Sequence, residues 1–148
     1  NIVGFKYFLL IVLICIFTDI GGYIFGKLFK GPKLTKISPN KTFAGALGGF
    51  ILAVVVGLIY SNYYTLYTIV YGLPFKFIEF IKNTDAIYLI WILLISLISQ
   101  IGDLIISYFK RLAKVKDTGK ILPGHGGLLD RIDGLVFVMP IIYLLDKI

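Results

Sequence analysis

From Ile87 to Phe109 the chain reads IYLIWILLISLISQIGDLIISYF, 23 residues with one charge, Asp103. At ~1.5 Å rise per residue a helix of this length reaches ~34 Å, enough to cross the ~30 Å hydrocarbon core of a bilayer. Three more apolar runs read the same way: Val3 to Phe25, Phe43 to Tyr60, and Leu135 to Leu145. The last begins earlier if its charged first turn is included. Between the second and third runs, Tyr63 to Ile81 is rich in Tyr and Phe but broken by Gly72 and Pro74. That segment reads as interfacial and not as a fifth span. The expected fold is all-α, a polytopic membrane bundle of about four transmembrane helices in a single membrane-embedded region covering residues 1–148.

Composition supports that class. With 58% hydrophobic and 16% charged residues and a mean hydropathy of +0.91, the chain lacks the polar surface that a water-soluble domain requires. The sequence lacks an initiator Met and opens inside an apolar run, so it is expected to be the C-terminal part of a longer protein. Its single cysteine, Cys15, sits mid-span as a small apolar packing residue and offers neither a disulfide nor a thiolate metal site.

The net charge of +7 is confined to two loops. One holds Lys27, Lys30, Lys33, Lys36 and Lys41; the other holds Lys110, Arg111, Lys114, Lys116, Lys120 and Arg131. Lys76 and Lys82 in the middle loop are offset by Glu79 and Asp85. Four spans put both basic loops on one face, which the positive-inside rule makes cytoplasmic, with both termini outside. Cations flanking apolar spans do not line a groove for nucleic acid. They point to an anionic lipid or a phosphorylated substrate.

Carboxylates in membrane helices are expensive and mark function. Asp19 lies eight residues before Lys27 and Asp103 seven before Lys110, which places both at nearly the same depth, ~10 to 12 Å below the cytoplasmic helix ends. Asp130 and Asp133 open the last span from the same side, on one helix face by their i,i+3 spacing. Gly21, Gly22, Gly26 and Gly102 let helices approach closely. Four carboxylates on three helices are thus expected to converge at one shallow site. Such a cluster, with no His or Cys partner, selects a hard cation such as Mg²⁺, held by one or two carboxylates plus substrate phosphates. Asp19 and Asp103 also admit a plainer reading, as buried polar groups each paired with a neighbour. The first-loop lysines equally admit a role as topology signals.

Ser107, Lys110-Arg111, Lys116-Asp117, Pro123-Gly124-His125-Gly126-Gly127 and Asp130-Arg131-Ile132-Asp133 together resemble, in residues and spacing, the signature of the CDP-diacylglycerol synthases (phosphatidate cytidylyltransferases). A second block, Asp19 to Gly26 followed by Ser38-Pro39-Asn40-Lys41-Thr42 and Gly45, is similar to that family's other motif. Where many members carry Trp-Glu after the Lys-Thr pair, this chain has Phe43-Ala44. The resemblance implies a multi-pass enzyme of the bacterial inner membrane, active at its cytoplasmic face. Its implied reaction joins CTP to phosphatidic acid with Mg²⁺, releasing pyrophosphate.

In that reading Asp130 and Asp133 hold the metal with Asp103 nearby, and a second cation sits toward Asp19 or Asp117. Lys110, Arg111, Lys116 and Arg131 contact the triphosphate, with Ser107 in the same substrate-binding set. Ser38, Lys41 and Thr42 serve the lipid phosphate or the triphosphate. His125 is a phosphate or positioning contact, because an ionised phosphate nucleophile needs no general base. A homo-oligomer is compatible with the chain. The competing classes are a CTP-dependent polyprenol or phytol kinase and an ion transporter. The Pro-Gly-His-Gly-Gly to Asp-Arg-x-Asp block argues against the first, and the second would need carboxylates in the outer halves of the spans.

Overall fold

The computed structural model describes residues 2–35, 38, 41–61, 86–115, 118–119 and 129–145, with residues 2–4, 6, 61, 129–131 and 145 described for the backbone alone. Four helices hold most of them: α1 (Ile2–Phe29), α2 (Phe43–Ser61), α3 (Ala86–Leu112) and α4 (Leu129–Leu145). Pairing of extended backbone among the described residues is limited to one antiparallel bridge, Lys33 to Thr42. The interfacial segment expected over Tyr63 to Ile81 lies outside the described residues.

Among the described residues three helices are long and apolar enough to cross a membrane: Tyr7–Phe29, Phe43–Tyr60 and Ala86–Leu112. The expectation of four full spans differs at α4, whose apolar part, Ile132–Leu144, is shorter. Its first turn carries Asp130, Arg131 and Asp133, so the 17-residue helix of ~25 Å spends its start on polar groups at the boundary. The other helices run slightly past their expected ends, to Phe29 and Leu112. Both extensions are two to four residues, which leaves Asp19 and Asp103 at matching depth. The chain is a multi-pass membrane helix bundle.

A small core of Leu10, Ile11, Ile14, Cys15, Ala53, Ile92, Ile95 and Val138 is buried between the helices. Most other apolar side chains, among them Phe8, Ile16, Leu47, Ile51, Ile90, Leu97 and Ile101, face outward. In water such a surface would aggregate, and in a bilayer it is the lipid contact. Because lipid is as apolar as these side chains, helix association has to come from close packing and hydrogen bonds.

Glycines supply the packing. A Cβ on Gly45 of α2 would stand 2.6 Å from the Gly22 carbonyl oxygen of α1, and one on Gly21 would overlap the backbone of Gly48. The two helices therefore meet backbone to backbone, as the small residues after Asp19 suggested. On the other side of the bundle Gly102 of α3 receives the ring of Phe137, and Gly134 of α4 presses on Ser99. Hydrogen bonds add the second element. Thr18 Oγ1, fully buried, donates to the Ile14 carbonyl at 2.8 Å and lies 2.9 Å from the Ser96 hydroxyl, which joins α1 to α3. Together these contacts hold α1, α2 and α3 at fixed heights, and so fix what faces the cavity at their basic ends.

Candidate active site

The loop between α1 and α2 is ordered by its own backbone. Lys30, in the left-handed region with φ 43°, ends α1 with its N–H on the Gly26 carbonyl. Leu34 N–H then donates to Lys41 O at 2.7 Å, Phe43 N–H to Pro32 O at 3.1 Å and Lys41 N–H to Ser38 O at 3.0 Å. Thr42 is the N-cap of α2, its hydroxyl accepting from Gly45 N–H at 3.1 Å. This folding-back brings Ser38, Lys41 and Thr42 beside α1 and α3, although they lie on a loop in sequence.

They line a cavity of about 420 Å³ together with Thr18, Asp19, Gly22 and Tyr23 of α1, Leu34 of the loop, Gly45 and Ala46 of α2, Gln100 and Asp103 of α3, and Asp133 of α4. Of the four carboxylates expected to converge from three helices, Asp19, Asp103 and Asp133 line this cavity, and the side chain of Asp130 lies outside the described residues. Asp19 of α1 and Asp133 of α4 border the same space as Asp103 of α3. Asp103 is the hub. Its Oδ2 accepts from Lys41 Nζ at 3.0 Å, with the carboxylate side chain 15% exposed. Its Oδ1 is buried with no hydrogen-bond partner among the described residues.

The cavity has two electrostatic walls. Asp19, Asp103 and Asp133 form one. The other is the first turn of α2, where the positive end of the helix dipole favours anions, with Lys41 and Ser38 of the preceding loop beside it. Lys110, near the end of α3, lies close enough to act on Asp133 electrostatically.

The remaining site residues read from the sequence divide as follows. Ser107 and Arg111 lie on α3 outside the cavity lining. The backbones of Asp130 and Arg131 belong to the first turn of α4, and their side chains lie outside the described residues. Lys116, Asp117 and His125 also fall outside the described residues. For Asp103 the plainer reading holds in part, since it is ion-paired, yet its partner is itself one of the expected site residues.

Two cavity residues escaped the sequence reading. Gln100 directs its Nε2 to the Ala46 carbonyl at 3.3 Å, tying α3 to the first turns of α2. Thr18 sits next to Asp19 and makes the α1–α3 hydroxyl contact. Both carried a usable signal. Gln100 is a polar side chain in an apolar run three residues before Asp103, hence on the same helix face.

The residues fit a hard cation. Three carboxylates face one ammonium, and a buried carboxylate oxygen lacks a donor, a state that a cation relieves. Oxygen donors without nitrogen or sulfur are the set that suits Mg²⁺, which binds through one or two carboxylates and completes its octahedron with water and phosphate. Among the described residues no group of three or more His, Cys, Asp or Glu stands at metal-holding spacing; attachment through one or two carboxylates requires none.

Residues 2–148 match the model of the cytidylyltransferase family. The chain is similar to the phosphatidate cytidylyltransferases of Staphylococcus aureus strain COL, 43% identical over 148 residues, and of Staphylococcus haemolyticus, 41% over 143. That of Staphylococcus saprophyticus is 40% identical over 145 residues. In each case the match covers 96% of this chain and 49% of the relative, so the chain spans about half the length of the curated relatives it matches.

Proposed function

This chain belongs to the cytidylyltransferase family, and from that premise we propose that it carries the site at which a cytidylyl group passes from CTP to phosphatidic acid, giving CDP-diacylglycerol and pyrophosphate. The observation that carries the reading is a cavity bordered both by the carboxylates Asp19, Asp103 and Asp133 and by Lys41, Ser38 and the first turn of α2. Both substrates are multiply anionic, so bringing them together is chiefly a matter of neutralising charge and aligning atoms. A phosphatidate oxygen attacks the α-phosphorus of CTP, and the bond to the pyrophosphate oxygen breaks. The nucleophile is already ionised, and no side chain needs to remove a proton.

Asp130 and Asp133 are the residues that would hold Mg²⁺, with Asp103 nearby and Asp19 on the side of a second cation. A bound Mg²⁺ supplies charge neutralisation at the phosphates and the leaving group. Lys41 and Ser38 bind phosphate oxygens from the opposite wall, and Thr42 fixes the α2 N-terminus that faces them. Lys110, Arg111, Lys116 and Arg131 serve the triphosphate, Asp117 a second cation, and His125 positions a phosphate. The charge of the basic loops supports a site at the cytoplasmic face of the membrane.

The test is product analysis on the protein reconstituted in liposomes with labelled CTP, phosphatidate and Mg²⁺. Pyrophosphate together with a CDP-lipid is expected. Release of CDP would assign a lipid kinase instead, and the absence of both products would favour transport.

A further inference from the structure

Lys41 ion-pairs with the hub carboxylate, its Nζ 3.0 Å from Asp103 Oδ2. Its position is set by two different kinds of restraint. The backbone is held on both sides, through Leu34 N–H to Lys41 O and Lys41 N–H to Ser38 O, whereas the ammonium sits at the end of a four-carbon stem and the side chain is 31% exposed. The anchor is fixed and the charge can move. The acceptor is equally asymmetric: Asp103 Oδ2 is taken by Lys41, and Oδ1 is buried without a partner.

We infer that Lys41 is a place-holder. Its ammonium compensates Asp103 while the site is empty, is displaced when a divalent cation takes the carboxylates, and is then handed across the cavity to a substrate phosphate. This inference rests on the proposed phosphoryl chemistry only for the last of those stages. Formal charge favours the sequence. Three carboxylates outweigh Lys41 and the nearby Lys110, so a divalent cation is drawn to them; the Lys41 ammonium, now beside a cation, is repelled toward the arriving anion. Because both walls border one cavity, the transfer needs rotation about side-chain bonds and no helix movement. The order of binding follows: metal first, then nucleotide or lipid phosphate onto the freed ammonium.

The first experiment uses the native protein in nanodiscs without nucleotide. Acetylation of Lys41 by an amine reagent is followed by peptide mass spectrometry, with exposed Lys33 and Lys114 as internal controls. Adding Mg²⁺ should raise the Lys41 rate about fivefold, the factor expected for breaking a partly exposed ion pair, and leave the controls unchanged. A Lys41 rate indifferent to Mg²⁺ overturns the place-holder. The second experiment measures Mn²⁺ affinity by electron paramagnetic resonance. Lys41→Met should bind Mn²⁺ about tenfold more tightly than the native protein, as removal of a competing neighbouring charge requires, and equal or weaker binding counts against the proposal. Both readouts need no turnover. A protein that makes no CDP-lipid but passes both would lose the proposed reaction and keep the exchange.

Discussion

Gly134 of α4 lies so close to Ser99 of α3 that a Cβ on the glycine would overlap the serine hydroxyl, and the same Cβ would stand 3.4 Å from Asp103 Oδ1. The residue that follows Asp133 thus sets how closely the last helix approaches the hub carboxylate. Ser99 is fully buried and its hydroxyl finds no partner among the described residues, so this contact is steric.

Gly134→Ala is therefore expected to push α4 outward and carry Asp133 away from Asp103. Overpacking of this kind costs ~1 to 3 kcal/mol. Thermal unfolding in detergent and CDP-lipid formation should both fall, with activity per folded protein falling further than stability. Native activity in a stable Gly134→Ala protein would show that the approach of α4 is not critical.

Asp133→Asn keeps size and much hydrogen bonding but removes the charge a hard cation needs. Loss of several kcal/mol of metal-derived stabilisation corresponds to about a 10³-fold slower turnover. Asp130→Asn is expected to behave similarly. Rates per folded protein across a Mg²⁺ series are the check, and near-normal turnover with unchanged Mg²⁺ dependence would remove Asp133 from the metal site.

Gln100→Leu deletes the amide that ties α3 to Ala46 while roughly conserving volume. A single hydrogen bond to a backbone carbonyl contributes ~1 kcal/mol, so stability should drop modestly. Because the amide fixes the height of Asp103 against the Lys41 loop, turnover should fall about tenfold or more, the scale on which small misplacements act. An unchanged rate would limit Gln100 to packing.

The charge asymmetry of the loops predicts topology. In a Cys15→Ser background, cysteines placed at Lys36 and Lys120 should escape an impermeant thiol reagent in intact cells, and one at Asn83 should react. Labelling of Lys36→Cys and Asn83→Cys from the same side would exclude the arrangement with both basic loops in the cytoplasm.

The sequence by itself determined the helical membrane class, the approximate helix limits, the family and three carboxylates that line the cavity. These are local properties: length of apolar runs, 3.6-residue periodicity and motif spacing survive without knowledge of any neighbour. Even the equal depth of Asp19 and Asp103 follows from counting residues to a helix end. Tertiary structure decided the rest. That Lys41 pairs with Asp103 from a loop 62 residues away, that Thr42 caps α2 while lining the cavity, and that Gln100 and Thr18 belong to the site all depend on helix rotation and crossing distance. The α1–α2 contact sets those distances at glycines with no side chains to hold the backbones apart, and α3 is then fixed by the Thr18–Ser96 and Gln100–Ala46 contacts. Linear spacing carries no information about which faces meet once helices can approach to backbone contact.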